Sequence, residues 1–296
     1  MTGLPEYAHT GWQGTTDGTP WMQRTLIRLF RMLPLEVLYA VMALVIPFYM
    51  LFGKGFKASY GFYRKRLGYG PFKSFVHVYL NEFSFGQVVL DRFAAYAGKA
   101  FRMNVPRMDL FESLCAGPEG FVQLSSHVGN YEMVGYTLTA PKRLNALVFG
   151  GETATIMENR ARLFGQTHVR MVPVSEDLSH IFILNSALAD GEIVSLPGDR
   201  VFGSQKTVEC LFFGQKAKFP AGPFILAVQR QVPVLTVFVM KEKRQEFRVF
   251  LEVEQVPEQG TKQERIQALA DAYARRLEEI VRLYPDQWYN FYDFWK

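Results

Sequence analysis

Five histidines occur in this chain of 296 residues, and one has neighbours suited to chemistry. The segment Ser125-Ser126-His127-Val128-Gly129-Asn130-Tyr131-Glu132 carries an imidazole and, five positions later, a carboxylate. Imidazole is the side chain whose ordinary pKa lets it take and return a proton near neutrality. A carboxylate on one ring nitrogen fixes the tautomer, and the other nitrogen then takes a proton from an attacking hydroxyl. His127 is therefore the candidate general base and Glu132 the acid that orients it. Gly129 permits a tight turn and leaves room for substrate. Asn130 suits a helix N-cap, which places Glu132 in the first helical turn, where its charge suits the helix dipole.

Competing chemistries fit less well. A zinc site wants histidines four apart on one helix face with further ligands close by. Here the spacing is five and no second His is near, so neither a metal nor another cofactor is expected. A serine hydrolase wants G-x-S-x-G, which does not occur. On spacing alone, acid–base catalysis and a structural histidine both stay open. His77, His168 and His180 have no comparable setting and read as structural.

The elements that would position this segment follow from hydrophobic period. Short apolar runs at Phe121–Ser125, Leu144–Phe149, Val169–Val172 and Ile193–Leu196 read as strands. Helical patterns alternate with them at Asn130–Thr139, Thr153–Phe164 and Leu178–Ala189. That alternation predicts an α/β fold with a mostly parallel mixed sheet flanked by helices, and His127 at a strand's carboxyl end, where ligands collect. Val234–Met240 and Phe247–Val253 read as a hairpin or sheet edge, and Gln263–Leu283 as an amphipathic helix. Upstream, Phe72–Arg102 and Met108–Ala116 read as helices. Residues 1–20 are polar and read as a disordered tail with no cleavable signal peptide. Residues 21–70 read as membrane-associating helices and 71–296 as the main domain.

The stretch Leu33–Phe52 is almost wholly apolar, interrupted by Pro34, Glu36 and Pro47. Arg24, Arg28 and Arg31 precede it, and Lys54, Lys57, Arg64, Lys65 and Arg66 follow. A single span, an interfacial anchor and a buried core helix all fit its length, and membrane attachment is the favoured expectation. The net charge of +5 suits an anionic partner such as a phospholipid surface or an acidic carrier protein. Nucleic acid is not expected, because no dense basic run accompanies a binding motif. The two cysteines, Cys115 and Cys210, make no disulfide framework.

The octet around His127 resembles the H-x-G-N-[WYF]-E signature of the late lipid A acyltransferases, within the lysophospholipid acyltransferase superfamily. Further blocks follow in order: Glu158-Asn159-Arg160, Pro197-Gly198-Asp199-Arg200, Gly203, Val208–Gly214, Phe219–Pro223 and Val232-Pro233-Val234. The resemblance covers roughly residues 120–240. Gly198-Asp199-Arg200 stands where the best-known lipid A enzymes carry an Asp-Gln-Asp-like stretch, and the variant looks closer to relatives in aryl polyene and lipid-pigment gene sets.

The resemblance implies transfer of a fatty acyl chain from acyl carrier protein or acyl-CoA to a hydroxyl or amine of a membrane lipid or glycolipid. It implies a place at the cytoplasmic face of a bacterial inner membrane, single-pass or monotopic. His127 and Glu132 would be catalytic. Arg160 or N–H groups near Gly129 would hold the oxyanion, and Asn130, Asp199 and Arg200 would bind substrate or shape the site. A thioesterase using the same dyad and a non-catalytic lipid-binding protein are the rivals.

Overall fold

The computed structural model describes residues 20–53, 55–131, 133, 138, 140–148, 168–175, 178–201 and 206–295. The expected tail, the helix over 153–164 and the side chains of Glu132 and Arg160 lie outside the described residues. Four helices come first: α1 (Pro20–Met32), α2 (Leu35–Phe52), α3 (Phe56–Lys65) and α4 (Pro71–Tyr96). Then follow β1 (Arg102–Asn104), α5 (Met108–Ala116), β2 (Phe121–Ser125), β3 (Leu144–Val148), β4 (Val169–Pro173), α6 (Ser179–Ala189) and β5 (Ile193–Pro197). The chain continues through β6 (Thr207–Phe212), β7 (Gln215–Pro220), α7 (Gly222–Arg230), β8 (Val234–Lys243), β9 (Glu246–Glu254) and α8 (Lys262–Leu283).

Seven strands form one sheet in the order β1-β9-β8-β2-β5-β3-β4. Every pairing is parallel except β8 with β9. A strand covered on both faces needs apolar groups on both. β2 meets that demand: Phe121 faces one buried cluster with Ile193, Leu235 and Phe111 of α5. Val122 and Leu124 face the other, which is built by α6, α7 and α8. The α/β expectation, the parallel sheet and the β8–β9 hairpin all hold.

Two boundaries differ from expectation. The helix read over Phe72–Arg102 stops at Tyr96, because Gly98 takes φ +89° and the N–H groups of Gly98 and Lys99 close back onto Ala95 and Ala94. This C-terminal closure favours glycine. It frees Arg102–Asn104 to pair with β9. The apolar stretch from Leu33 becomes helical only after Pro34, which separates α1 from α2.

The β6–β7 hairpin is an addition. Its two-residue turn, Phe213-Gly214, has both residues left-handed (φ +48° and +73°), a conformation usually announced by Asn-Gly or Asp-Gly. Phe213 is held there by ring contacts with Phe62 and Phe212 and by an N–H donated to Glu278.

The N-terminal helices make a third buried cluster from Ile27, Phe30, Leu35, Tyr39, Phe93, Ala94 and Tyr96. α2 runs along α4: Tyr39 donates to the buried Asp91, and the Tyr79 hydroxyl of α4 donates to the Ala43 carbonyl. Its other side leaves Leu44, Phe48, Tyr49, Leu51 and Phe52 exposed. Among the described residues α2 is the one helix long and apolar enough to cross a membrane.

Candidate active site

β2 and β5 are parallel neighbours, with Ser125 opposite Pro197. Continuing that register two residues past both strand ends brings His127 beside Asp199. The Asp199 carboxylate takes the His127 main-chain N–H at 2.7 Å and lies 2.9 Å from Nδ1. An ionised carboxylate can only accept, so Nδ1 carries a hydrogen and Nε2 the lone pair.

The charges favour that state. Burial raises the Asp199 pKa, but His127, its hydrogen bonds and the Arg200 charge outweigh burial and hold the carboxyl below its ordinary value. Burial pushes the His127 imidazole below its ordinary value, and Arg200 adds to this, while Asp199 opposes it. A neutral imidazole beside an ionised carboxylate is the resting form of a general base.

The loop after β2 is held on several sides. The His127 carbonyl accepts from Tyr289 N–H at 3.0 Å, and Gly129 N–H donates to the Gln287 carbonyl at 2.8 Å. Val128 and Trp288 thereby form an antiparallel bridge. Asn130 N–H donates to the Val239 carbonyl of β8 at 2.7 Å. Gly129 has φ +63°, and a Cβ there would stand 2.1 Å from the Val239 carbonyl oxygen. The space that Gly129 leaves is thus filled by β8. Tyr273 of α8 donates to the Ser125 carbonyl at the end of β2.

Residues 98–296 match the family model of the bacterial lipid A biosynthesis acyltransferases. The chain belongs to that family. It is an acyltransferase of lipid biosynthesis. Among solved structures, the 1-acyl-sn-glycerophosphate (LPA) acyltransferase PlsC from Thermotoga maritima is similar at 13% identity, over 84% of this chain and 98% of that one, with a TM-score of 0.41. No curated protein matches the chain.

The other predicted site residues of the acyltransferase fall as follows. Glu132 and Arg160 lie outside the described residues. The N–H groups of Gly129 and Asn130, expected as oxyanion donors, are already given to Gln287 and Val239. Met133 N–H returns to the Asn130 carbonyl, a tight three-residue step; the helix expected over Asn130–Thr139 lies mostly outside the described residues. The Asn130 side chain is buried, with both amide atoms unpaired among the described residues. Asp199, expected to bind substrate or shape the site, touches the imidazole. Arg200 is buried and donates to the Tyr289 carbonyl at 2.6 Å.

Sequence reasoning missed the segment Asp286–Asn290. Trp288, Tyr289 and Asn290 of this segment are buried. Its main-chain service to the His127 loop has no side-chain signal.

Proposed function

We propose that the enzyme transfers a fatty acyl chain from an acyl thioester to a hydroxyl or amine of a lipid or glycolipid acceptor, with His127 as general base. The observation that carries this is the buried Asp199 carboxylate on Nδ1 of a partly buried imidazole at a strand's carboxyl end. In the reaction, Nε2 takes the proton of the acceptor as its oxygen or nitrogen attacks the thioester carbonyl. The tetrahedral intermediate collapses, the thiolate leaves, and the imidazolium returns the proton to it. Asp199 holds the ring through the cycle. Glu132, the acid of the motif, stabilises the imidazolium, and Arg160 stabilises the oxyanion. Asn130 contributes its unpaired amide to substrate binding.

The donor is acyl carrier protein or acyl-CoA; an acidic carrier suits a positively charged chain. We further propose attachment to the cytoplasmic face of a bacterial inner membrane. The exposed apolar side of α2, together with Trp21 and Met32 of α1 and Phe72 and Phe75 of α4, supports it. α2 is bonded sideways to α4, and Glu36 pairs with Arg244 after β8. Such lateral ties favour a helix lying in the interface over one crossing alone.

The test is an acyl-transfer assay with carrier and CoA donors, with and without lipid acceptor, on the wild type and His127→Ala. Acceptor-dependent product lost in a folded His127→Ala supports the reading. Acceptor-independent thioester loss would make the enzyme a hydrolase, and full transfer by the variant would remove His127 as base.

A further inference from the structure

Two residues one turn apart on α4, His77 and Asn81, share a face and both meet the segment after α8. Asn81 is buried. Its Nδ2 donates to the Asp286 carbonyl at 3.1 Å and to the Trp288 carbonyl at 2.9 Å. Those carbonyls flank Gln287, whose own carbonyl takes the Gly129 N–H, and they precede Tyr289, whose N–H reaches His127. His77 Nδ1 lies 2.6 Å from the Asp286 carboxylate, which also accepts from the Tyr63 hydroxyl at 3.0 Å. The Gln287 side chain pairs with both main-chain groups of Lys241 in β8, at 2.9 and 2.8 Å. The segment is thus gripped by α4 on one side and β8 on the other. Its Gln287 carbonyl and Tyr289 N–H are spent on the His127 loop.

We infer that Asn81 is a positioning residue for His127, acting through the main chain of Asp286–Tyr289. The inference rests on His127 being the base. Without the amide, the Asp286 carbonyl loses the Asn81 donor, the Trp288 carbonyl keeps only the Asn290 N–H, and the segment shifts to recover partners. The loop's bonds to Gln287 and Tyr289 shift with it. A displacement of about 1 Å at a reacting group costs on the order of a hundredfold in rate. The loss therefore falls on turnover and spares donor binding.

The experiment is a double-variant cycle in the full chain: wild type, Asn81→Ala, His127→Ala and both, with kcat, donor KM and the pH profile of kcat/KM. Asn81→Ala is expected to lower kcat by about 10- to 100-fold, to leave KM within about threefold, and to move the acid limb. In the His127→Ala background it is expected to add no further loss, because groups acting as a unit are not additive. Unchanged kcat in folded Asn81→Ala overturns the inference, as do losses that multiply in the double variant. If Asn81→Ala does not fold, Asn81→Ser, which retains a short donor, carries the same cycle with the same two overturning outcomes. Full activity in His127→Ala would instead sink the base assignment, and this inference with it.

Discussion

Two histidine–aspartate pairs stand among the described residues, and their geometry alone does not tell them apart. His77 Nδ1 lies 2.6 Å from Asp286, and His127 Nδ1 lies 2.9 Å from Asp199. The imidazoles are almost equally shielded, with 18% and 17% of the side chain exposed. The carboxylates differ: Asp286 is 24% exposed and Asp199 1%. Asp286 also accepts from a tyrosine, whereas Asp199 takes the N–H of the histidine's own main chain. The longer contact belongs to the pair at the mouth of the sheet, where a substrate can arrive. On the proposed function, contact length does not separate the two pairs, while burial of the acid and its place on the sheet do.

Swapping the same substitutions between the pairs tests this distinction. His127→Ala should lower kcat by on the order of 10³-fold or more, and His77→Ala by less than about tenfold. Equal losses in two folded variants would erase the difference. Asp199→Asn should cost on the order of 10²-fold in kcat, against a few-fold for Asp286→Asn. Glu132→Gln measured alongside decides how far the motif's own acid shares the work: a loss above that of Asp199→Asn would move the ring's main support to Glu132.

The backbone beneath the His127–Asp199 pair gives a sharper contrast still. Gly129→Ala forces a side chain at φ +63° into the Val239 carbonyl, and thermal or chemical melts should show a loss of about 3 kcal/mol or failure to fold. Gly98→Ala, also at positive φ but in open space, should cost about 1 kcal/mol and leave turnover intact. The smallest effect is in pH. The His127 and Asp199 pKa values both lie below their ordinary ones. The unfolded chain therefore binds more protons than the folded one between each folded value and its unfolded counterpart. The His127 contribution is present above about pH 6.5 and is lost as pH falls through the folded value. Denaturant melts at pH 7.5 and 5.5 should show the lower stability at the acid end. The acid limb of kcat/KM should fall below pH 6.5; a limb above it would contradict the partly buried, neutral ring.

Much of this architecture was legible in residue order. Apolar runs such as Phe121–Ser125 and Ile193–Leu196 read as strands of a mostly parallel sheet, and the helix read over Gln263–Leu283 is α8, which opens on a capping box of Thr261 and Glu264. Strand order was not legible. Without it Asp199 could be placed near the cleft but not on Nδ1, since only the adjacency of β2 and β5 sets those residues side by side. The left-handed Phe213 is held by surrounding rings and by Glu278, not by local preference. The main-chain bonds from Gln287 and Tyr289 carry no residue-type signature at all.

The loop bearing His127 reaches 72 residues ahead for Asp199 and farther still for Val239 and Gln287. No local folding event can complete it. Loop-closure entropy for all three encounters must be met before any of them repays it. During refolding, helical signal should therefore return before catalytic competence, which waits for the slowest long-range encounter.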